Sequence, residues 1–148
     1  MSELKNRITD DMKSAMKARD KESTRAIRMI LEAIKQKEVD DRTVLDDSQV
    51  ITVINKMVKQ RKDSISQFTD AGRDDLVKVE NDELAILNTY MPKQLSDKEI
   101  IPFVDKAIND LGASSMQDMG KLMGTLKGQL NGKADVGTVS AIIRSKLS

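Results

Sequence analysis

Apolar residues recur at helical spacing along almost the whole chain. Leu4, Ile8, Met12, Ala15 and Met16 form the first stripe and predict an amphipathic helix near residues 3–18. Asp20 is placed to cap a second helix, with Glu22 in its first turn and Ile27, Ile30, Leu31 and Ile34 as the apolar face. The stripe then fades into the polar run 35–47, which reads as a loop. Asp46, Asp47 or Ser48 can cap a long third helix patterned by Val50, Ile51, Ile54, Met57, Val58, Ile65 and Phe68. Ala71 and Gly72 end it. A fourth helix carries Leu76, Val77, Leu84, Leu87 and Met91. No segment alternates with period two, so the pattern predicts no strands.

The segment Tyr90-Met91-Pro92-Lys93-Gln94-Leu95-Ser96 interrupts this regularity. Pro92 biases Met91 away from helix, and Ser96 with Glu99 has the spacing of a capping box. Ile100, Ile101, Val104, Ala107, Ile108 and Leu111 pattern the fifth helix. Pro102 within it implies either a kink or a later start. Gly112 closes that helix, and Ser114 or Ser115 opens a sixth, with Asp118 near its positive end. Asp135 caps a seventh helix bearing Val139, Ile142, Ile143 and Leu147. The expected fold is all-α: an elongated, hairpin-like helical domain over 1–91 and a compact three-helix domain over 92–148.

The sixth helix carries an unusual face. At about 100° per residue, Met119, Leu122, Met123, Leu126 and Leu130 gather in one core-facing arc, while Gly120, Gly124 and Gly128 share the opposite side. Lys121 and Lys127 flank the glycines. An interior glycine costs a helix about 0.8–1 kcal/mol relative to alanine, so the stripe calls for a compensation. Either another helix packs over it or the helix ends near Gly128, or the backbone must admit a close ligand whose charge the lysines meet, such as a nucleic-acid phosphate chain.

Composition narrows the chemistry. The 148 residues contain neither Cys nor His, which removes disulfides, thiolate zinc sites and the commonest general base. No run of about 18 apolar residues and no secretory leader is present, and a cytoplasmic protein away from membranes is expected. Charged residues nearly cancel to a net charge of +1, yet residues 119–148 hold five Lys and Arg against the single Asp135. Phe68, Tyr90 and Phe103 are the only aromatics, so stacking of single-stranded bases is unsupported and an RNA contact would run through backbone, shape and lysine.

Other candidate chemistry reduces to ordinary roles. The acidic pairs Asp10-Asp11, Asp40-Asp41, Asp46-Asp47 and Asp74-Asp75 fall at helix ends or in loops, where carboxylates cap. Ser64, Ser66, Ser114 and Ser115 have no histidine to activate them. The glycines and Lys127 partly match a phosphate loop but lack its Gly-Lys-Ser/Thr ending and the preceding strand. Arg25 with Arg28, and Lys56, Lys59, Arg61 and Lys62, form basic clusters of the kind solvated helix faces carry.

Several of these residues carry a resemblance to a known family. Residues 90–96, Gly112-Ala113-Ser114, Asp118-Met119-Gly120-Lys121-Leu122-Met123-Gly124 and Gly132-Lys133-Ala134-Asp135 closely resemble YqeY proteins, relatives of the C-terminal part of the B subunit (GatB) of tRNA-dependent amidotransferase. Gly120, Leu122, Gly124, Gly132, Ala134 and Asp135 fall on the tail motif of that subunit without a gap. The resemblance implies a helical N-terminal domain joined to a three-helix tail. It also implies a tail surface that meets the body of tRNA, and a family-level label of carbon–nitrogen ligase with glutamine as amido donor. The B subunit's phosphorylating cradle and the amidase Ser-Lys-Ser machinery have no counterpart here.

The combined expectation is a monomeric, non-catalytic tRNA-binding accessory module with no cofactor, metal or catalytic residue. Gly120, Gly124, Gly128 and Gly132 would permit close approach, while Lys121, Lys127, Lys133, Arg144 and Lys146 would supply charge. A tRNA-processing or aminoacylation protein is a possible further partner. The alternative is a protein-interaction adaptor that docks a partner helix on the glycine face.

Overall fold

The structure, a computed structural model, describes residues 2–148 and is all-helical over them. The chain divides into two compact units, Met1–Met91 and Pro92–Ser148.

The first unit contains α1 (Glu3–Lys17), α2 (Lys21–Asp41), α3 (Asp47–Asp70) and α4 (Asp74–Asn88). Each consecutive pair, α1 with α2 and α3 with α4, forms a helical hairpin. The two hairpins share one core of Ile8, Ile27, Ile30, Ile34, Leu45, Val50, Ile54, Met57, Leu87 and Tyr90. The N-terminal half is therefore two hairpins closed on each other. Short polar caps set the turns: Asp20 accepts from Ser23 N–H at 3.1 Å, and Asp46 and Gln49 form a reciprocal capping box.

α2 continues to Asp41, seven residues past the point where the apolar stripe ends. The loop expected over 35–47 is thus confined to the residues after Asp41. Polar pairs hold the extra turns. Glu38 accepts from Lys5 Nζ at 2.8 Å and from Leu45 N–H at 2.9 Å, Lys37 pairs with Asp41 at 3.0 Å, and Gln36 donates to Asp40 at 2.8 Å. A helix held by such contacts leaves no hydrophobic period to read.

The second unit contains α5 (Asp97–Leu111), a short 3-10 turn (Met116–Asp118), α6 (Met119–Gln129) and α7 (Val136–Leu147). Ser96 and Glu99 make the expected capping box, so α5 starts at Asp97 and carries Pro102 inside it, beyond the first turn. Gly112 ends α5 at φ 62°, a backbone region that side chains with a Cβ rarely adopt. Ile100, Val104 and Ala107 from α5 meet Leu122, Leu126 and Leu130 around α6 and Val139 and Ile143 from α7. Leu122, Leu126 and Ile143 have no exposed surface. Burial at that level stabilises by about 1.5–3 kcal/mol per side chain and fixes the rotation of α6 about its axis.

Candidate functional site

That fixed rotation decides where the glycines point. With Leu122 and Leu126 inside, Gly120, Gly124 and Gly128 are all exposed on the opposite side of α6. A Cβ built on any of the three would meet no described atom within 4 Å, outside the helix's own backbone. Close packing by another helix of this unit does not account for the stripe. Termination accounts only for Gly128, which lies in the last turn, whereas Gly124 is mid-helix.

Lys121 and Lys127 are exposed beside the glycines. Neither side chain makes a hydrogen bond or an ion pair among the described residues. At the helix start, the Asp118 carboxylate accepts from Ser114 N–H at 2.9 Å and Ser115 N–H at 3.3 Å. Those backbone donors, with nearby Lys121 adding a smaller effect, hold its pKa below the usual carboxylate range. Lys127 sits in the last turn of α6, where a cation complements the negative end of the helix.

The turn from α6 to α7 places the other expected residues. Lys133 has an exposed side chain, and its N–H donates to Leu130 O at 2.9 Å. Gly132 is buried at φ 74° and is a turn residue rather than part of the open face. Its carbonyl accepts from Gln94 Nε2 at 2.5 Å, and the carbonyl of Lys133 accepts from Leu95 N–H at 2.8 Å. Asp135 then caps α7, accepting from Thr138 N–H at 3.3 Å. On α7, Arg144 is exposed with no ion pair among the described residues, whereas Lys146 pairs with Asp105 at 3.2 Å. Among the described residues, the side chains of Lys121, Lys127, Lys133 and Arg144 thus stand as uncommitted cations on α6, α7 and the turn between them.

In the first unit, two members of the basic clusters are engaged in ion pairs. Arg61 is largely buried and bonds Glu80 at 3.0 Å and Glu83 at 3.3 Å, while Arg25 reaches Glu83 at 3.1 Å. These contacts join α2, α3 and α4 and divide the basic clusters visible in the sequence. Asp11 accepts from the Tyr90 hydroxyl at 2.6 Å, Asp47 accepts from Ser2 Oγ and from Leu4 N–H, and Asp75 accepts from Arg73 at 3.2 Å, so with Asp40 and Asp41 each acidic pair serves a structural bond. No group of three or more metal-ligating side chains is present among the described residues. A groove of about 490 Å³ runs between α2 and α3 over Ala33, Leu45, Val53 and Met57.

The family model described as Yqey-like protein matches residues 5–147. Relatives include the proteins named Altered inheritance of mitochondria protein 41, mitochondrial, of three yeasts. That of Vanderwaltozyma polyspora is 37% identical over 119 residues, covering 76% of this chain and 64% of the relative. That of Kluyveromyces lactis is 35% identical over 150 residues, covering 95% of this chain and 78% of the relative. That of Candida glabrata is 39% identical over 86 residues, covering 57% of this chain and 47% of the relative. The chain thus spans less than two thirds of the length of the first and third of these.

The relatives' names overturn the cytoplasmic placement expected from the sequence, since they point to the mitochondrion. The expectation rested on lacking an apolar span and a secretory leader. Neither feature distinguishes cytosol from an organelle interior, because organelle-targeting segments are amphipathic and basic rather than long and apolar.

Proposed function

The chain belongs to the Yqey-like protein family, and from that premise we propose that its C-terminal unit is a non-catalytic, tRNA-binding accessory module. The observation that carries the reading is the open glycine face of α6, flanked by Lys121 and Lys127, neither of which is paired. Bare helix backbone lets a phosphate chain approach closely, and uncommitted lysines meet it without first breaking an ion pair. Lys133 and Arg144 extend the positive charge, and Lys146 joins it by leaving Asp105. With about 3–5 phosphate contacts, the logarithm of affinity falls against the logarithm of salt concentration with a slope near −3 to −4. The reaction class attached to the resembling amidotransferase belongs, on this reading, to the complex in which the B subunit works.

The test is a titration against unfractionated tRNA at two salt concentrations, wild type beside Lys121→Ala/Lys127→Ala/Lys133→Ala. Weaker binding and a shallower salt slope in the triple variant support the proposal. Wild-type binding that ignores salt, or no binding at low salt, refutes it. The same open face also fits a partner helix, because exposed glycines admit close helix packing. That second reading requires Gly124→Leu to abolish capture of the partner while the lysine substitutions leave it unchanged.

A further inference from the structure

Gln94 lies outside the glycine helix and outside the cationic set, yet its side chain grips the turn that carries Lys133. Its Nε2 has two hydrogens, and two carbonyls receive them: Pro92 O at 3.1 Å and Gly132 O at 2.5 Å. Both neighbours are acceptors, which fixes the amide nitrogen, rather than its oxygen, toward the turn. One residue on, Leu95 N–H donates to Lys133 O at 2.8 Å. Two consecutive carbonyls of the turn are therefore held from the segment before α5, and Lys133 N–H is held by Leu130 O. Every contact lies within the second unit.

We infer that Gln94 is a positioning residue for the tRNA contact made by Lys133, an inference that rests on the function proposed above. A lysine on a free turn loses conformational entropy when it docks on a phosphate, and a turn pinned by two external bonds has lost part of that freedom already. Gln94 itself need not touch RNA. Its exposed position explains why apolar patterning does not reveal it, and its partners are 38 residues away for Gly132 and two for Pro92.

Two substitutions test the inference. Gln94→Ala removes both donors, and Gln94→Glu keeps the shape while setting carboxylate oxygens against two carbonyls. Amide hydrogen exchange on the free proteins reads the clamp: the Leu95 and Lys133 amides exchange about tenfold or more faster in either variant, while those of Leu122 and Leu126 keep their protection. Titration against unfractionated tRNA reads the consequence. Gln94→Ala weakens binding about three- to tenfold, and its salt slope drops by about one contact, as for Lys133→Ala. The double variant Gln94→Ala/Lys133→Ala then binds no more weakly than Lys133→Ala alone, because a positioning effect has nothing left to act through. A merely structural role instead gives additive losses. Additive losses, or unchanged affinity in Gln94→Ala while the wild type binds, overturn this inference alone. A wild type that does not bind tRNA overturns the function proposed above and this inference with it.

Discussion

Gly124→Ala separates the needs of folding from those of binding. Gly124 is mid-helix in α6, and a Cβ there enters open space, so the substitution creates neither clash nor cavity. What remains is intrinsic helix propensity. Alanine gains about 0.8–1 kcal/mol over glycine in a helix interior, because the glycine backbone loses more freedom on folding. The thermal midpoint rises by about 4–8 °C if the second unit melts separately, or by about 2–4 °C if the whole chain melts as one. Far-UV circular dichroism during heating and denaturant titration measures it. The added methyl also stands where a phosphate chain would approach. The same variant should lose about five- to tenfold in tRNA affinity, equivalent to about 1–1.4 kcal/mol. A protein that is more stable but binds more weakly is the expected outcome. Unchanged or reduced stability would refute the open face. Gained stability with full affinity would refute its role in binding.

Three further perturbations address the first unit. Arg61→Ala leaves Glu80 and Glu83 facing each other without their shared cation, and should cost about 2 kcal/mol in denaturant unfolding, less than a fully buried pair because all three side chains retain some solvent contact. An unchanged midpoint would show the network to be dispensable. Tyr90→Phe removes the hydroxyl bond to the Asp11 carboxylate and should cost about 1–2 kcal/mol, again read by denaturant unfolding. A neutral result would mean that water replaces the bond. For pH dependence, the bonds from Lys5 and from Leu45 N–H hold the Glu38 pKa below its ordinary 4.5. A depressed carboxylate pKa contributes stability above the unfolded value and loses it as pH falls through the folded one. Stability should therefore fall on acidification below about 4.5, and fall less steeply in Glu38→Gln, as measured by unfolding at a series of pH values.

Several helix caps are legible in the sequence, although the end of α2 and the start of α6, which follows a 3-10 turn and begins at Met119 rather than at Ser114 or Ser115, are not. Ser96 with Glu99, Asp20, Asp135 and Gly112 act locally, so a few neighbouring residues suffice to identify them. The exposed side of α6 was legible for a related reason: once Leu122 and Leu126 are assigned to the core, helical geometry places the glycines opposite. What would cover that side was not legible, because covering depends on the path of every other element. The last turns of α2 were missed because Lys5, Leu45 and Asp41 hold them through polar bonds. Arg61 looked like one more solvated cation, since its partners lie 19 and 22 residues away on a different helix. Gly132 and Lys146 were grouped with the candidate site by motif and charge alone. Their engagement by Gln94 and Asp105 is a tertiary property.

The buried Tyr90 has a practical optical consequence. It is the only tyrosine in a chain without tryptophan, and it stands under the Arg7 guanidinium at 5.0 Å with its hydroxyl on Asp11. Tyrosine emission and near-ultraviolet absorbance therefore come essentially from one ring, which reports on the packing of α1 against the end of the first unit. Phenylalanine contributes only weakly, so the second unit is almost silent in these signals. An unfolding curve followed through tyrosine would describe the first unit, and its divergence from a backbone signal would reveal whether the two units melt together.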